Sequence, residues 1–120
     1  MNEEIVAFLG PGNLFLSYNT LLFDSLDVSD TQKFIVTKPD DRYAIKPYLS
    51  NHYLGADATK YGTNVCEQLY LIEHRGNYES WSLGKWPSGI IAAVIEYIDQ
   101  GADNGRPFQS TTLTVVRNVA

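Results

Sequence analysis

The sequence predicts a mainly β protein, in which short antiparallel strands form a small barrel and one short helix lies near residues 89–100. Short apolar runs alternate with turn-forming residues along most of the chain, which is typical of antiparallel sheets and barrels. An aromatic-Leu-small step followed by an aromatic-aliphatic triplet occurs twice at similar spacing, which indicates repeated β units. The length of 120 residues is that of one domain, residues 1–120. The alternative is an α+β fold with a curled antiparallel sheet and one packed helix.

The first half of the chain predicts two hairpins with a further strand between them. Residues 10–13 (Gly-Pro-Gly-Asn) all favour turns and predict a hairpin over residues 4–18. The next predicted strands are residues 21–23, 33–38 and 43–46. Residues 39–41 (Pro-Asp-Asp) form the turn between the last two, so that these strands make the second hairpin.

The second half predicts a long loop, another hairpin, the helix and a final strand. The loop is 47–64, the hairpin runs from 68 to 83 around a turn at 75–77, and the last strand is 111–116. The helix has apolar residues at i, i+3, i+4 and i+7, with a possible cap at each end. These residues are Ile91, Val94, Ile95 and Ile98, with Ser88 and Gly101 as caps. Two short buried strands are the other interpretation, because Ile and Val favour sheets over helices.

The order of the motifs resembles that of the hisactophilin and fascin type of β-trefoil protein. The segments that carry the resemblance are Val6–Phe8, Gly12–Ser17, Phe34–Val36, Tyr43–Lys46, His52–Asp57 and Tyr70–His74. The resemblance implies three repeats around a barrel, with Gly84–Ser88 and Leu113–Val115 in a longer third repeat that holds the helix as an insertion. It also implies cytoskeletal or lectin-like roles. Actin binding is not carried over, because the many histidines of hisactophilin are absent and the chain is acidic.

Net charge limits the partners of this protein. There are 14 acidic residues against 9 basic ones, for a net charge of −5 and no local basic cluster. This sign repels phosphate backbones and anionic lipid headgroups, so we expect no nucleic-acid and no membrane partner. Cys66 is the one cysteine, which excludes an internal disulfide and fits a reducing compartment. With an acidic start and no long apolar run, the sequence predicts a cytoplasmic protein.

No pattern in the sequence predicts an enzyme, a metal site or a cofactor. Nucleophilic catalysis would need Cys66 with His52 or His74, but no known signature surrounds this cysteine, and a buried apolar role is the more common one. Asp24, Asp27 and Asp30 could gather three carboxylates, yet a solvated acidic loop is the favoured interpretation. We therefore expect no catalytic residue, metal ligand or cofactor.

Aromatic residues in loops are the candidates for binding. Tyr48, Tyr61 and Trp86 lie in or beside predicted loops, where packing and recognition are equally plausible roles. They predict a non-catalytic binding module that recognises a protein partner, or a glycan, through loop aromatics and an acidic surface. Two alternatives are a small acidic inhibitor or immunity protein that blocks a toxin or defence enzyme, and an assembly subunit of a larger particle. The sequence leaves the oligomeric state open.

Overall fold

The computed structural model describes residues 3–56, 69–85, 96–99 and 112–119. The described residues are mainly β, and their strands pair antiparallel, as the sequence predicts. Short 3₁₀ turns lie at Pro11–Asn13, Asp30–Gln32 and Asn77–Glu79. The strands are β1 Glu4–Leu9, β2 Phe15–Ser17, β3 Leu22–Ser25, β4 Phe34–Thr37, β5 Ala44–Pro47, β6 Tyr53–Ala56, β7 Leu69–Ile72, β8 Ser82–Lys85, β9 Glu96–Asp99 and β10 Thr112–Val116.

Strand β1 connects most of the sheet. Its first half pairs with β4 from Glu4↔Val36 to Val6↔Phe34, and its second half pairs with β10 from Ala7↔Val116 to Leu9↔Thr114. Strand β2 joins β1 at a single pair, Leu9↔Phe15. The strand order is β3-β2-β1-β10-β9-β8, with β4 on β1 and β5 on β4. Strand β1 therefore connects β2 and β4, from the first third of the chain, with β10 from its last part.

The sheets stay open in the part of the chain that the structure describes. The large sheet runs from β3 to β8 without closing, and β6 and β7 pair with each other as a separate two-stranded sheet. The predicted barrel is therefore not present in these residues: no sheet closes, and β6 and β7 pair with each other but not with the larger sheet. The trefoil arrangement stays a prediction.

The helix predicted over residues 89–100 is wrong at residues 96–99, which form β9. This strand pairs on one side with β8 and on the other with β10, so that the Cα of Ile98 lies opposite those of Leu83 and Leu113. Pairing on both sides favours the extended conformation to which β-branched residues are suited. The other residues of the predicted helix, 89–95 and 100, lie outside the described residues.

The hairpin over residues 33–46 is confirmed, whereas the one over residues 68–83 is wrong. Strands β4 and β5 pair in register from Phe34↔Pro47 to Thr37↔Ala44. Strand β7 instead pairs with β6, and β8 pairs with β9. The segment between the two strands bends at residues 73–74 and contains the 3₁₀ turn Asn77–Glu79, so the chain does not make the tight turn predicted at 75–77.

Among the residues that the structure describes, Trp81 is the largest fully buried side chain. Its indole Nε1–H donates a hydrogen bond to the carbonyl oxygen of Leu54 at 3.0 Å. The backbones of Tyr43 and Trp81 also exchange two hydrogen bonds, of 2.6 and 2.9 Å. Trp81 therefore holds the small β6–β7 sheet and the start of β5 against one common core. That core also contains Val6, Phe8, Leu16, Phe34, Ile45, Ala56, Leu69 and Leu113.

Within the described residues, none of the helical turns has the length and apolar composition needed to cross a bilayer.

A candidate binding groove on the β4–β5 hairpin

The β4–β5 hairpin has a buried face and an outer face. Phe34 and Ile45 point into the core, where both side chains are fully buried. Because side chains alternate along a strand, the neighbours Ile35 on β4 and Lys46 on β5 lie on the opposite face. A groove of about 340 Å³ lies over this outer face. It is lined by Glu3, Ile35, Thr37, Pro39, Ala44, Lys46, Tyr48, Leu49, Ser50, Asn51 and Tyr53.

A tight turn after β5 forms one rim of the groove. The Tyr48 N–H donates to the carbonyl oxygen of Lys33 at 2.9 Å, and the Ser50 N–H donates to that of Pro47 at 3.2 Å. The Ser50 hydroxyl then accepts a hydrogen bond from the His52 N–H at 3.2 Å. These bonds fix the backbone of the turn while leaving Tyr48 38% and Leu49 60% exposed.

Two lysines lie against the tyrosines of the groove. The Lys46 ammonium is 4.8 Å from the centre of the Tyr53 ring, and the Lys33 ammonium is 5.9 Å from the centre of the Tyr48 ring. Such contacts contribute about 0.5–1 kcal/mol at exposed sites. A lysine ammonium therefore lies over each of these two rings.

The far end of the hairpin is held by an arginine. The Arg75 guanidinium donates two hydrogen bonds to the Asp40 carboxylate, at 2.7 and 3.0 Å, and one to the carbonyl oxygen of Arg42 at 3.3 Å. The paired guanidinium lowers the pKa of Asp40 to about 2. The same contact raises the pKa of Arg75. These hydrogen bonds to Asp40 and Arg42 connect the β4–β5 turn to the segment after β7.

One of the three predicted binding residues lies in the groove. Tyr48 is on its rim, whereas Tyr61 and Trp86 lie outside the described residues. Tyr53, which was not among the predicted binding residues, also lines the groove. Glu3, Lys46 and Leu49 were missed. For Lys46 the signal was available, because Tyr43 and Ile45 on one face of β5 place Lys46 on the other.

A serine, a histidine and a glutamate lie near one another beside the groove. The Ser50 Oγ is 3.1 Å from the His52 Nδ1, and the His52 Nε2 is 3.9 Å from the Glu73 carboxylate. The second distance exceeds that of a hydrogen bond, the His52 side chain is about half-buried, and Glu73 is exposed. The Ser50 hydroxyl also accepts from the His52 backbone, which is the pattern of a serine turn. We interpret these contacts as part of the turn.

Two of the three acidic residues considered as cation ligands have other partners for their carboxylates. Asp24 accepts hydrogen bonds from the hydroxyls of Ser17 and Thr20, and Asp30 lies 3.5 Å from the Lys33 ammonium. The described residues contain no group of three or more His, Cys, Asp or Glu side chains that could hold a metal ion. Cys66 lies outside them.

A scan of protein-family models and searches of curated proteins and solved structures return no match to this chain. The resemblance to hisactophilin and fascin stays a prediction. The groove is therefore interpreted from its own geometry.

Proposed function

We propose that the protein is a non-catalytic binding module that holds a segment of a protein partner in the groove over β4 and β5. The observation that carries this proposal is the position of Tyr48 and Leu49. They lie side by side at the opening of the groove, on a turn whose backbone is fixed by hydrogen bonds, and both are exposed. Exposed large apolar and aromatic side chains beside a concave surface are typical of binding anchors.

A rigid framework supports the groove. The floor residues belong to two strands paired over four residue pairs, and the opposite face of these strands packs into the core. The Arg75–Asp40 contact holds one end, and the hydrogen-bonded turn holds the other. A binding site that is formed in advance loses less conformational entropy when its ligand arrives.

A protein segment fits the groove better than a glycan does. Sugar-binding sites place the open face of an aromatic ring flat against the sugar. Here a lysine ammonium already lies over the Tyr53 ring and another lies near the Tyr48 ring. Leu49, which is 60% exposed, is an aliphatic group that stabilises a complex by burial against another apolar side chain.

Selection of short random peptides displayed on phage, with the purified protein as bait, tests the proposal. We expect peptides that bind the wild type and that lose about tenfold or more in affinity for Leu49→Ser, because burial of a leucine contributes roughly 1.5–3 kcal/mol. Tyr48→Ala should weaken the same peptides. Affinity is measured by titration calorimetry with the synthetic peptides.

Leu26→Ser is the matched control, because Leu26 is 77% exposed but lies after β3, away from the groove. This variant should bind the peptides as the wild type does. A selection that enriches no peptide, or peptides that bind Leu49→Ser and Tyr48→Ala at full strength, would contradict the proposal.

A further inference from the structure

The groove has one cationic and one anionic side chain in its lining, Lys46 and Glu3. Resting on the proposed function, we infer that the partner segment is an extended strand that carries an acidic side chain for Lys46 and a basic side chain for Glu3. The groove would then select its partner by charge order as well as by the apolar contact at Leu49.

The Lys46 ammonium has no carboxylate partner among the described residues. Its contact there is the ring of Tyr53 at 4.8 Å. Lys33, on the same side of the molecule, is instead 3.5 Å from the Asp30 carboxylate. In a chain with 14 acidic and 9 basic residues, carboxylates are plentiful, yet none of those described lies against Lys46. A cation in this setting attracts a carboxylate from a ligand.

The Glu3 carboxylate is likewise without a basic partner in the described part of the chain. The neighbouring Glu4 shows the contrast, because its carboxylate is 2.9 Å from the Arg117 Nε. Glu3 lies one residue before β1 and lines the groove from the β1 side. It is therefore placed to accept a lysine or arginine of the partner.

The register of the three strands sets the distance between the two charges. Lys46 on β5 lies opposite Ile35 on β4, which lies opposite Ile5 on β1. Glu3 is two residues before Ile5, and so on the same face. Two strand spacings across and two residues along give a Cα separation of about 12 Å. The two charges thus lie at opposite corners of the groove floor, with Ile35 and Thr37 between them.

This separation specifies the spacing of charges in the ligand. In an extended peptide, side chains that face the same way are two residues apart, and about four residues span roughly 13 Å. An acidic and a basic residue at that spacing would reach Lys46 and Glu3 together. The residue midway between them would face Ile35 and Thr37, and an apolar or β-branched side chain suits that position.

The test exchanges the two charges. Peptides selected from the random library by the wild-type protein are compared with peptides selected by the double variant Glu3→Lys, Lys46→Glu. We expect the wild type to select an acidic and a basic residue about four positions apart, in one order, and the double variant to select the reverse order. Each single variant should bind the wild-type peptides about tenfold less tightly.

Lys46→Met keeps the aliphatic stem and removes the charge, which separates the loss of the carboxylate contact from the loss of packing on Tyr53. It should weaken peptides that have the acidic residue and leave otherwise identical peptides with glutamine there unchanged. Peptides that depend on Leu49 but show no paired charges, or an order that the exchange leaves unaltered, would overturn the inference while the proposed function stands. If the wild type selects no peptide whose binding depends on Leu49, both the inference and the proposed function are overturned.

Discussion

Gly55 lies directly opposite Tyr70 in the β6–β7 ladder, and the space above it is filled by the buried pair that Tyr70 forms with Glu79. A β-carbon at position 55 would lie 2.8 Å from the Tyr70 Cζ and 2.9 Å from a Glu79 carboxylate oxygen. The absence of a side chain at Gly55 is therefore what allows this pair to be buried.

Gly55→Ala should lower the free energy of unfolding by about 1–3 kcal/mol, because both neighbours are buried and must move to accommodate the methyl group. Urea unfolding followed by Trp fluorescence measures the change. Gly12→Asn is the control, since a β-carbon at position 12 would make only an ordinary contact with Leu14, at 3.8 Å, and Asn tolerates the left-handed φ of 71° better than other residues with a side chain. Equal stability of the wild type and Gly55→Ala would contradict this interpretation of the packing.

Tyr70→Phe should also destabilise the protein, by about 1–3 kcal/mol. The phenol O–H donates to one oxygen of Glu79, and the Gly76 N–H donates to the other at 2.7 Å. Glu79 is only 6% exposed, so that removing one donor leaves a buried oxygen poorly satisfied. Chemical denaturation checks the value. Tyr48→Phe, on the exposed rim, should change stability little, and similar losses in both variants would refute the role given to burial.

The Arg75–Asp40 contact should make stability depend on pH in the acidic range. The folded-state pKa of Asp40 is lowered from 3.8 to about 2. The stability that the charged carboxylate contributes is therefore fully present above pH 3.8 and is lost as the pH falls through about 2. The stability difference between the wild type and Asp40→Asn should therefore narrow over this range. Urea midpoints at several pH values measure it. A difference that stays constant down to pH 2 would show that the carboxylate charge is not involved.

The buried hydroxyl of Ser17 connects β2 to two other segments. It donates to Asp24 on β3 and accepts from the Gln32 side-chain N–H at 2.7 Å, while Ser17 and Gln32 are both buried. Ser17→Ala should cost about 1–3 kcal/mol, because the Gln32 amide loses its acceptor. Thr20→Val removes an exposed donor to the same Asp24 and should cost less. Thermal unfolding compares the two, and a larger loss for Thr20→Val would reverse the expected order.

Part of the candidate site could be predicted because its signals are local. The Pro-Asp-Asp turn at 39–41 and the alternation along β5 specify a hairpin with one apolar face. Tyr48 follows immediately, in a segment rich in turn residues, and its exposure agrees with that interpretation. Glu3 could not be placed near Lys46 in this way, because the two residues are far apart in sequence and come together only when β1 pairs with β4.

The sequence by itself determined that this chain forms short antiparallel strands and that the hairpin of β4 and β5 has an inner and an outer face. These properties depend on side-chain alternation and turn residues, which act over a few positions. Only the tertiary structure decided that β7 pairs with β6, that residues 96–99 are a strand between β8 and β10, and that Glu3 and Lys46 share a groove. The choice of a strand's partner depends on which distant edge is free to accept its hydrogen bonds, and a local pattern carries no information about that.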